Sequence, residues 1–200
     1  MDRIAKTIFA PIYPVLAEVF LSRFGRREGV CIDLGSGPGH LSLAVAEASE
    51  MHVYALDISD EAHEIAHRNI RDAGLEDQIT LLSGDAEAIP LPDSSVDLVV
   101  SRGSIYFWKD LNAVLREVAR ILRPGGMTFI GGGFGNAGLN DQIVSEMIAR
   151  NPEWEERYRR NTSSDTRSRF ESAIPEIDGI GSRVVSDDSG IWIVMTRMRV

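Results

Sequence analysis

The chain alternates short apolar runs with stretches whose apolar residues recur every three or four positions. Val30–Leu34, Met51–Asp57, Ile79–Ser83, Val96–Ser101 and Met127–Gly132 are the runs, and apolar runs of this length between turn residues read as buried strands. Between them, His40–Ala48, Ser59–Ala73 and Leu111–Leu122 carry helical spacing. The last puts Leu111, Val114, Leu115, Val118, Ile121 and Leu122 on one stripe. Ser59 suits a helix N-cap and Gly74 a C′ position. Pro124-Gly125-Gly126 is expected to end the third helix before the fifth strand. Strands alternating with helices imply parallel βαβ units with right-handed crossovers.

The two ends of the chain follow other patterns. Met1–Phe24 reads as two short helical pieces broken around Pro11 and Pro14, an expected helical lid over residues 1–24. Leu139–Arg150, Pro152–Arg160 and Asp165–Ala173 read as three helices of an insert spanning 134–175. Ile180–Ser186 and Ile191–Met198 then flank Asp187-Asp188-Ser189-Gly190, a hairpin signal. With no repeat and no linker, residues 1–200 are expected to form a single domain.

The first strand runs straight into Gly35-Ser36-Gly37-Pro38-Gly39 and a helix starting at His40. Glycines in such a loop allow positive φ and close approach of a ligand, and the helix N-terminus offers unpaired N–H groups. A carboxylate, Asp57, ends the second strand about twenty positions past Gly35, where a Rossmann-like unit places an acid on ribose hydroxyls. His40 stands where a dinucleotide fingerprint has its third glycine.

Composition narrows the field. A net charge of -9 argues against a general nucleic-acid or anionic-membrane binder, both of which need positive surface. The one cysteine, Cys31, rules out an internal disulfide and fits a reducing, cytoplasmic setting. No apolar run is long enough to span a bilayer, and Pro11 and Pro14 interrupt Ile8–Ala17, the stretch most like a signal-peptide core. His63 and His67 share a helix face without a third ligand, so no metal site is expected.

Four stretches, taken in order, resemble the class I S-adenosylmethionine-dependent methyltransferases, of the Rossmann-like, small-molecule type. They are Asp33–Gly39, Ala55–Ile58, Gly84–Val100 and Leu115–Gly126. The resemblance implies an α/β fold: a Rossmann-like three-layer sandwich with a seven-stranded, mostly parallel sheet of order 3-2-1-4-5-7-6, strand 7 antiparallel. It implies S-adenosyl-L-methionine as cofactor and S-adenosyl-L-homocysteine as product. Gly35, Ser36, Gly37 and Gly39 would lie along the methionyl part, with Asp33 meeting its ammonium or bracing the loop. Asp57 would take both ribose hydroxyls and Ile58 pack on the adenine. Asp85 would accept from the adenine amino group, or shape a turn, with the Ala86 N–H on a ring nitrogen and Gly84 beside it. Ser101 would line the floor near the sulfonium with its backbone carbonyl, and Tyr13 would reach the cofactor from the lid or simply pack.

Asp97 begins a strand, whereas sites in such sheets lie beyond strand carboxyl ends, so it reads as a structural acid holding loop backbone. The acceptor side falls to Ser101–Trp108, the N-terminal segment and the insert. Arg102, Tyr106 and Trp108 are the acceptor-pocket candidates, with core anchoring the alternative for the two aromatics. The Asn/Asp-Pro-Pro-aromatic motif of relatives that methylate planar amino groups is absent from this loop. Arg150–Arg169 holds six arginines against four acids, a segment that would suit an anionic small-molecule acceptor or be a solvated helix face with internal charge pairs. Methyl transfer to a small molecule by in-line displacement is the expected function. A non-catalytic S-adenosylmethionine-binding protein and an NAD-dependent oxidoreductase are the alternatives.

Overall fold

A computed structural model describes residues 6–199. The strands are β1 (Glu28–Leu34), β2 (Glu50–Asp57), β3 (Ile79–Ser83), β4 (Val96–Arg102), β5 (Leu122–Gly132), β6 (Ile180–Asp187) and β7 (Gly190–Arg197). They form one sheet of order 3-2-1-4-5-7-6. β1 to β5 pair in parallel, and β7 runs antiparallel to β5 and β6. The helices are α1 (Ile12–Phe24), α2 (His40–Glu47), α3 (Asp60–Ala73), α4 (Leu111–Ile121), α5 (Ala137–Arg150), α6 (Glu153–Asn161) and α7 (Ser164–Ala173).

Alternation along the central strands splits the core between the two faces of the sheet. Leu98 and Val100 of β4 join Leu16, Phe20 and Val45 from α1 and α2. Val99 joins Val114, Leu115 and Val118 of α4 on the opposite face. Phe20 stacks on Phe129 at 4.8 Å and meets Trp192 edge-on at 4.9 Å, which fastens α1 to β5 and β7. Cys31 is wholly buried, and burial pushes its thiol well above the ordinary range, so it is inert core filling.

Local signals mark several helix ends. The Ser59 hydroxyl accepts from the Ala62 N–H at 3.2 Å, and Gly74 closes α3 in the left-handed region. Asp110 caps α4 by accepting from the Ala113 N–H at 3.0 Å.

Two boundaries differ from the pattern reading. The N-terminal segment turns at residues 8–11, up to Pro11, after a helical start at 6–7, but Pro14 does not break it: α1 runs unbroken from Ile12 to Phe24. Pro14 falls in the first turn, where its missing N–H has no partner to lose. Residues 1–5 of the expected lid lie outside the described residues. The fifth strand starts at Leu122, ahead of Pro124-Gly125-Gly126. The Ser94 and Ser95 N–H groups reach the Arg120 and Ile121 carbonyls at 3.0 and 2.8 Å, which draws Leu122 into register with Val96. The Pro-Gly-Gly run then sits where the register shifts between Val96 and Leu98, a bulge that tolerates proline.

Candidate active site

The C-terminal ends of β1, β2 and β4 meet at one edge of the sheet, and the glycine loop crosses between them. The Gly35 and Ser36 N–H groups both donate to the Leu56 carbonyl, at 2.8 and 2.9 Å. The next N–H, that of Gly37, donates to Asp57 Oδ2 at 2.8 Å, and the Ser59 N–H donates to Oδ1 at 2.9 Å. The loop is therefore laced to the end of β2. Gly35 and Gly37 have φ of 67° and 52°, the left-handed region. A Cβ on Gly35 would lie 2.4 Å from Ser104 Cβ, whereas one on Gly37 would meet nothing within 4 Å. Gly35 is closed in by protein and Gly37 faces open space.

Asp33 is only 2% exposed. The Ser42 hydroxyl of α2 donates to its Oδ2 at 2.8 Å. Burial pushes the carboxyl up to about 7, with the Asp57 charge adding to the rise and the Ser42 hydroxyl and N–H opposing it. Beyond Asp57, Ile58 leaves an apolar side chain 72% exposed. Asp85 is exposed, and its Oδ1 accepts from the Glu87 N–H at 2.9 Å, the turn-shaping contact. Gly84 is half-buried and Ala86 buried beside it.

Ser101, near the C-terminal end of β4, is 0% exposed. Its hydroxyl donates to the Leu34 carbonyl at 2.7 Å, and so does that of Ser104 at 2.8 Å. The two serines brace the loop from beneath.

Arg102 ends β4. Its Nε donates to the Gly133 carbonyl at 3.1 Å, and its guanidinium lies over the rings of Phe9 and Phe134, at 4.8 and 5.2 Å. Phe134 belongs to an aromatic cluster with Trp154 and Tyr158 of α6, whose own rings stack at 5.4 Å. Tyr13 of α1 stacks at 5.4 Å on His40, the first residue of α2. Tyr106 donates to the Asn161 carbonyl at 3.3 Å. Burial pushes its phenol up while Arg102 and Arg169 pull it down. Trp108 packs, half-buried, on the core cluster of the α4 face. The structure thus brings Tyr13, Asp33, Asp57 and Arg102 to one sheet edge. Ser42, Ser104, Phe9, Phe134, Trp154 and Tyr158 were not singled out from the sequence. Only Phe134 carried a signal, an aromatic directly after glycines at a strand end.

In the arginine-rich segment, Arg150, Arg159 and Arg167 pair within their own helices with Glu146, Glu155 and Glu171, the pattern of solvated helix faces. Asp97 sits at the far end of β4, accepting from the Val30 N–H at 2.9 Å and holding Arg26 and Arg123 at 3.3 and 2.6 Å. That is the structural role its strand position implied. Among the described residues no His, Cys, Asp or Glu cluster would hold a metal ion, and no helix is long and apolar enough to cross a membrane.

A family model for a methyltransferase domain matches residues 32–130, the stretch that carries the loop, Asp57 and Asp85. A solved structure from Methanococcus maripaludis, assigned as an S-adenosyl-L-methionine-dependent methyltransferase, is 48% identical, covers 100% of this chain and 91% of its own, and superposes with a TM-score of 0.96. The chain belongs to the S-adenosyl-L-methionine-dependent methyltransferases. Among curated methyltransferases, a dimethylglycine N-methyltransferase of Parasynechococcus marenigrum is 43% identical over 98 residues, 49% of this chain and 35% of that protein. Protein arginine N-methyltransferase 1 of Schizosaccharomyces pombe is 38% identical over 106 residues, 52% of this chain and 31% of that protein. The chain thus matches only about a third of the length of these methyltransferases. Family membership sets aside the nicotinamide alternative.

The site suits the family's cofactor. Ser36 Oγ is buried with no hydrogen-bond partner among the described residues, a group that a polar ligand atom would satisfy. The space over Gly37 is open. Asp57 uses one lone pair on each oxygen for loop N–H groups and keeps acceptor capacity on both.

Proposed function

We propose that this chain transfers the methyl group of S-adenosyl-L-methionine to a small-molecule acceptor. In this reading Asp57 accepts from the two ribose hydroxyls, and exposed Ile58 covers one adenine face. Asp85 and the Ala86 N–H take the adenine edge, with Gly84 giving room. Gly35, Ser36, Gly37 and Gly39 follow the methionyl tail, Asp33 balances its ammonium, and Tyr13 closes over it from α1. Bound cofactor supplies a sulfonium-activated methyl group. The chain's own task is to place the acceptor atom in line with it and to exclude water. A base is needed only for an acceptor that must lose a proton.

The observation that carries the small-molecule reading is the aromatic roof. Phe9 before α1, Phe134 after β5, and Trp154 and Tyr158 of α6 pack together beside Arg102. A lid formed by residues 6–24 and an insert formed by residues 134–175 would leave an enclosed acceptor space rather than an open groove for a polypeptide. Arg102, Tyr106 and Trp108 would bound that space. The matched relatives act on both kinds of acceptor by name, and the match covers only about a third of each.

An acceptor screen read as S-adenosylhomocysteine release tests this. Turnover is expected with members of a panel of small amines, thiols, phenols and carboxylates, and not with arginine-containing peptides. Turnover of the peptides alone would reverse the assignment. Cofactor binding with no turnover on any acceptor would favour a non-catalytic binding protein.

A further inference from the structure

Arg102 is a half-buried cation that no acid among the described residues pairs with. Among the described residues the ion pairs of Arg23, Arg26, Arg27, Arg120 and Arg123 each join a guanidinium to a carboxylate, and none involves Arg102. Its protein partners are one carbonyl, that of Gly133 at 3.1 Å, the rings of Phe9, Phe134 and Tyr13 at 4.8, 5.2 and 6.0 Å, and the Tyr13 hydroxyl. Burial pulls its pKa below the ordinary arginine range, which reflects a charge held away from water. Aromatic faces recover part of that loss, but a guanidinium has five donors in a planar fork. A bidentate carboxylate is the group that matches the fork.

The neighbouring strand supplies the opposite charge. Asp33 of β1 is in register with Val100 of β4, and register partners in a parallel pair face the same side of the sheet. Arg102 lies two residues further along β4, so it returns to that same side, about 7 Å nearer the C-terminal edge. Asp33 is turned to the Ser42 hydroxyl and Arg102 to the aromatic rings, and no ion pair joins them. A buried acid and a half-buried guanidinium therefore flank the start of the glycine loop on one face. They are spaced for a ligand that carries both charges.

We propose that Arg102 takes the carboxylate of an α-amino acid group bound at this edge, with Asp33 on its ammonium side. The inference rests on the methyltransferase reading. Two ligands bring such a group: the methionyl tail of the cofactor, and an acceptor that is itself an amino acid.

The test compares wild type, Arg102→Gln and Arg102→Lys by calorimetry with S-adenosylhomocysteine and with 5′-methylthioadenosine, which has the nucleoside and thioether but no amino-carboxylate. Where the cofactor tail is the source, Arg102→Gln weakens S-adenosylhomocysteine about ten- to a hundredfold and leaves methylthioadenosine unchanged. Where an acceptor is the source, both affinities hold, and KM for free amino acids rises towards that of the matching decarboxylated amines. Arg102→Lys keeps the charge and loses the fork, so it falls between wild type and Arg102→Gln. It decides the matter if Arg102→Gln does not fold. Unchanged S-adenosylhomocysteine affinity, with amino-acid KM unchanged or no amino acid turned over by wild type, overturns the proposal. Wild type that binds neither nucleoside overturns the methyltransferase reading itself, and this inference with it.

Discussion

The Gly37 N–H donates to Asp57 Oδ2 at 2.8 Å, joining residues twenty apart in sequence. The same carboxylate accepts from the Ser59 N–H through its other oxygen. One acid thus fixes the glycine loop, the end of β2 and the entry to α3, while keeping lone pairs for a ligand. Asp57→Ala leaves two part-buried N–H groups without acceptors. The expected loss is about 1–3 kcal/mol of stability, a fall in Tm of roughly 3–10 °C. S-adenosylhomocysteine affinity is expected to fall at least tenfold. A variant that binds like wild type would remove Asp57 from the ribose.

Gly35 and Gly37 separate packing from ligand approach. In Gly35→Ala the new methyl collides with Ser104 Cβ, so the loop must shift or unfold, and a large fall in Tm is expected. Gly37→Ala meets nothing in the protein. Only its left-handed φ opposes the change, by about 1 kcal/mol, yet the methyl projects into the space assigned to the cofactor. The expected pattern is near-normal Tm with at least tenfold weaker S-adenosylhomocysteine binding, read by thermal denaturation and calorimetry on one preparation. Full-strength binding by Gly37→Ala would move the methionyl tail off this loop.

Asp97 provides the opposite control. It holds the Val30 N–H, Arg26 and Arg123 at the end of β4 away from the site. Asp97→Asn removes the charge and turns a donor toward those groups. Arg26 and Arg123 reach solvent in part, so the expected loss is about 1–3 kcal/mol rather than that of a fully buried pair. Denaturant midpoints should drop while S-adenosylhomocysteine affinity stays put. A selective loss of affinity would mean that the two ends of β4 are coupled.

The sheet was largely legible because its parallel strands are buried on both faces and read as plain apolar runs, and because Ser59 and Gly74 mark helix ends by local chemistry. Leu122 was not legible. Its helical stripe continues unbroken from Ile121, and what pulls it into β5 is the Ser95 contact and the pairing with Val96, both non-local. Pro14 misled because a proline reads as a breaker unless the helix start is known, and no side chain caps α1 at Pro11. In the site, Asp57 followed from its position after the glycines. That the Ser101 hydroxyl turns under the Leu34 carbonyl is a contact between distant strands that no local pattern shows. The surroundings of Arg102 come from three distant segments and exist only once the chain is folded.

The buried carboxyl of Asp33 makes a pH-dependent prediction. Its folded-state value of about 7 lies above the roughly 3.9 of an unfolded aspartate, so between those values the folded chain binds more protons than the unfolded one. The stability this contributes is complete below about pH 4 and is lost as pH rises through about 7. The Tm of unliganded wild type relative to Asp33→Asn should therefore fall from pH 5 to pH 8. A ligand ammonium beside Asp33 acts the other way, because a nearby cation favours the charged form. Binding of S-adenosylhomocysteine at pH 6 should expel about one proton from Asp33, and affinity should rise with pH up to about 7. Calorimetry at pH 6 in two buffers of different ionisation enthalpy measures that proton directly. Asp33→Asn should release none and bind with a flat pH profile over this range. Equal proton release from both proteins would place the ammonium elsewhere and leave Asp33 as a brace for the loop through Ser42.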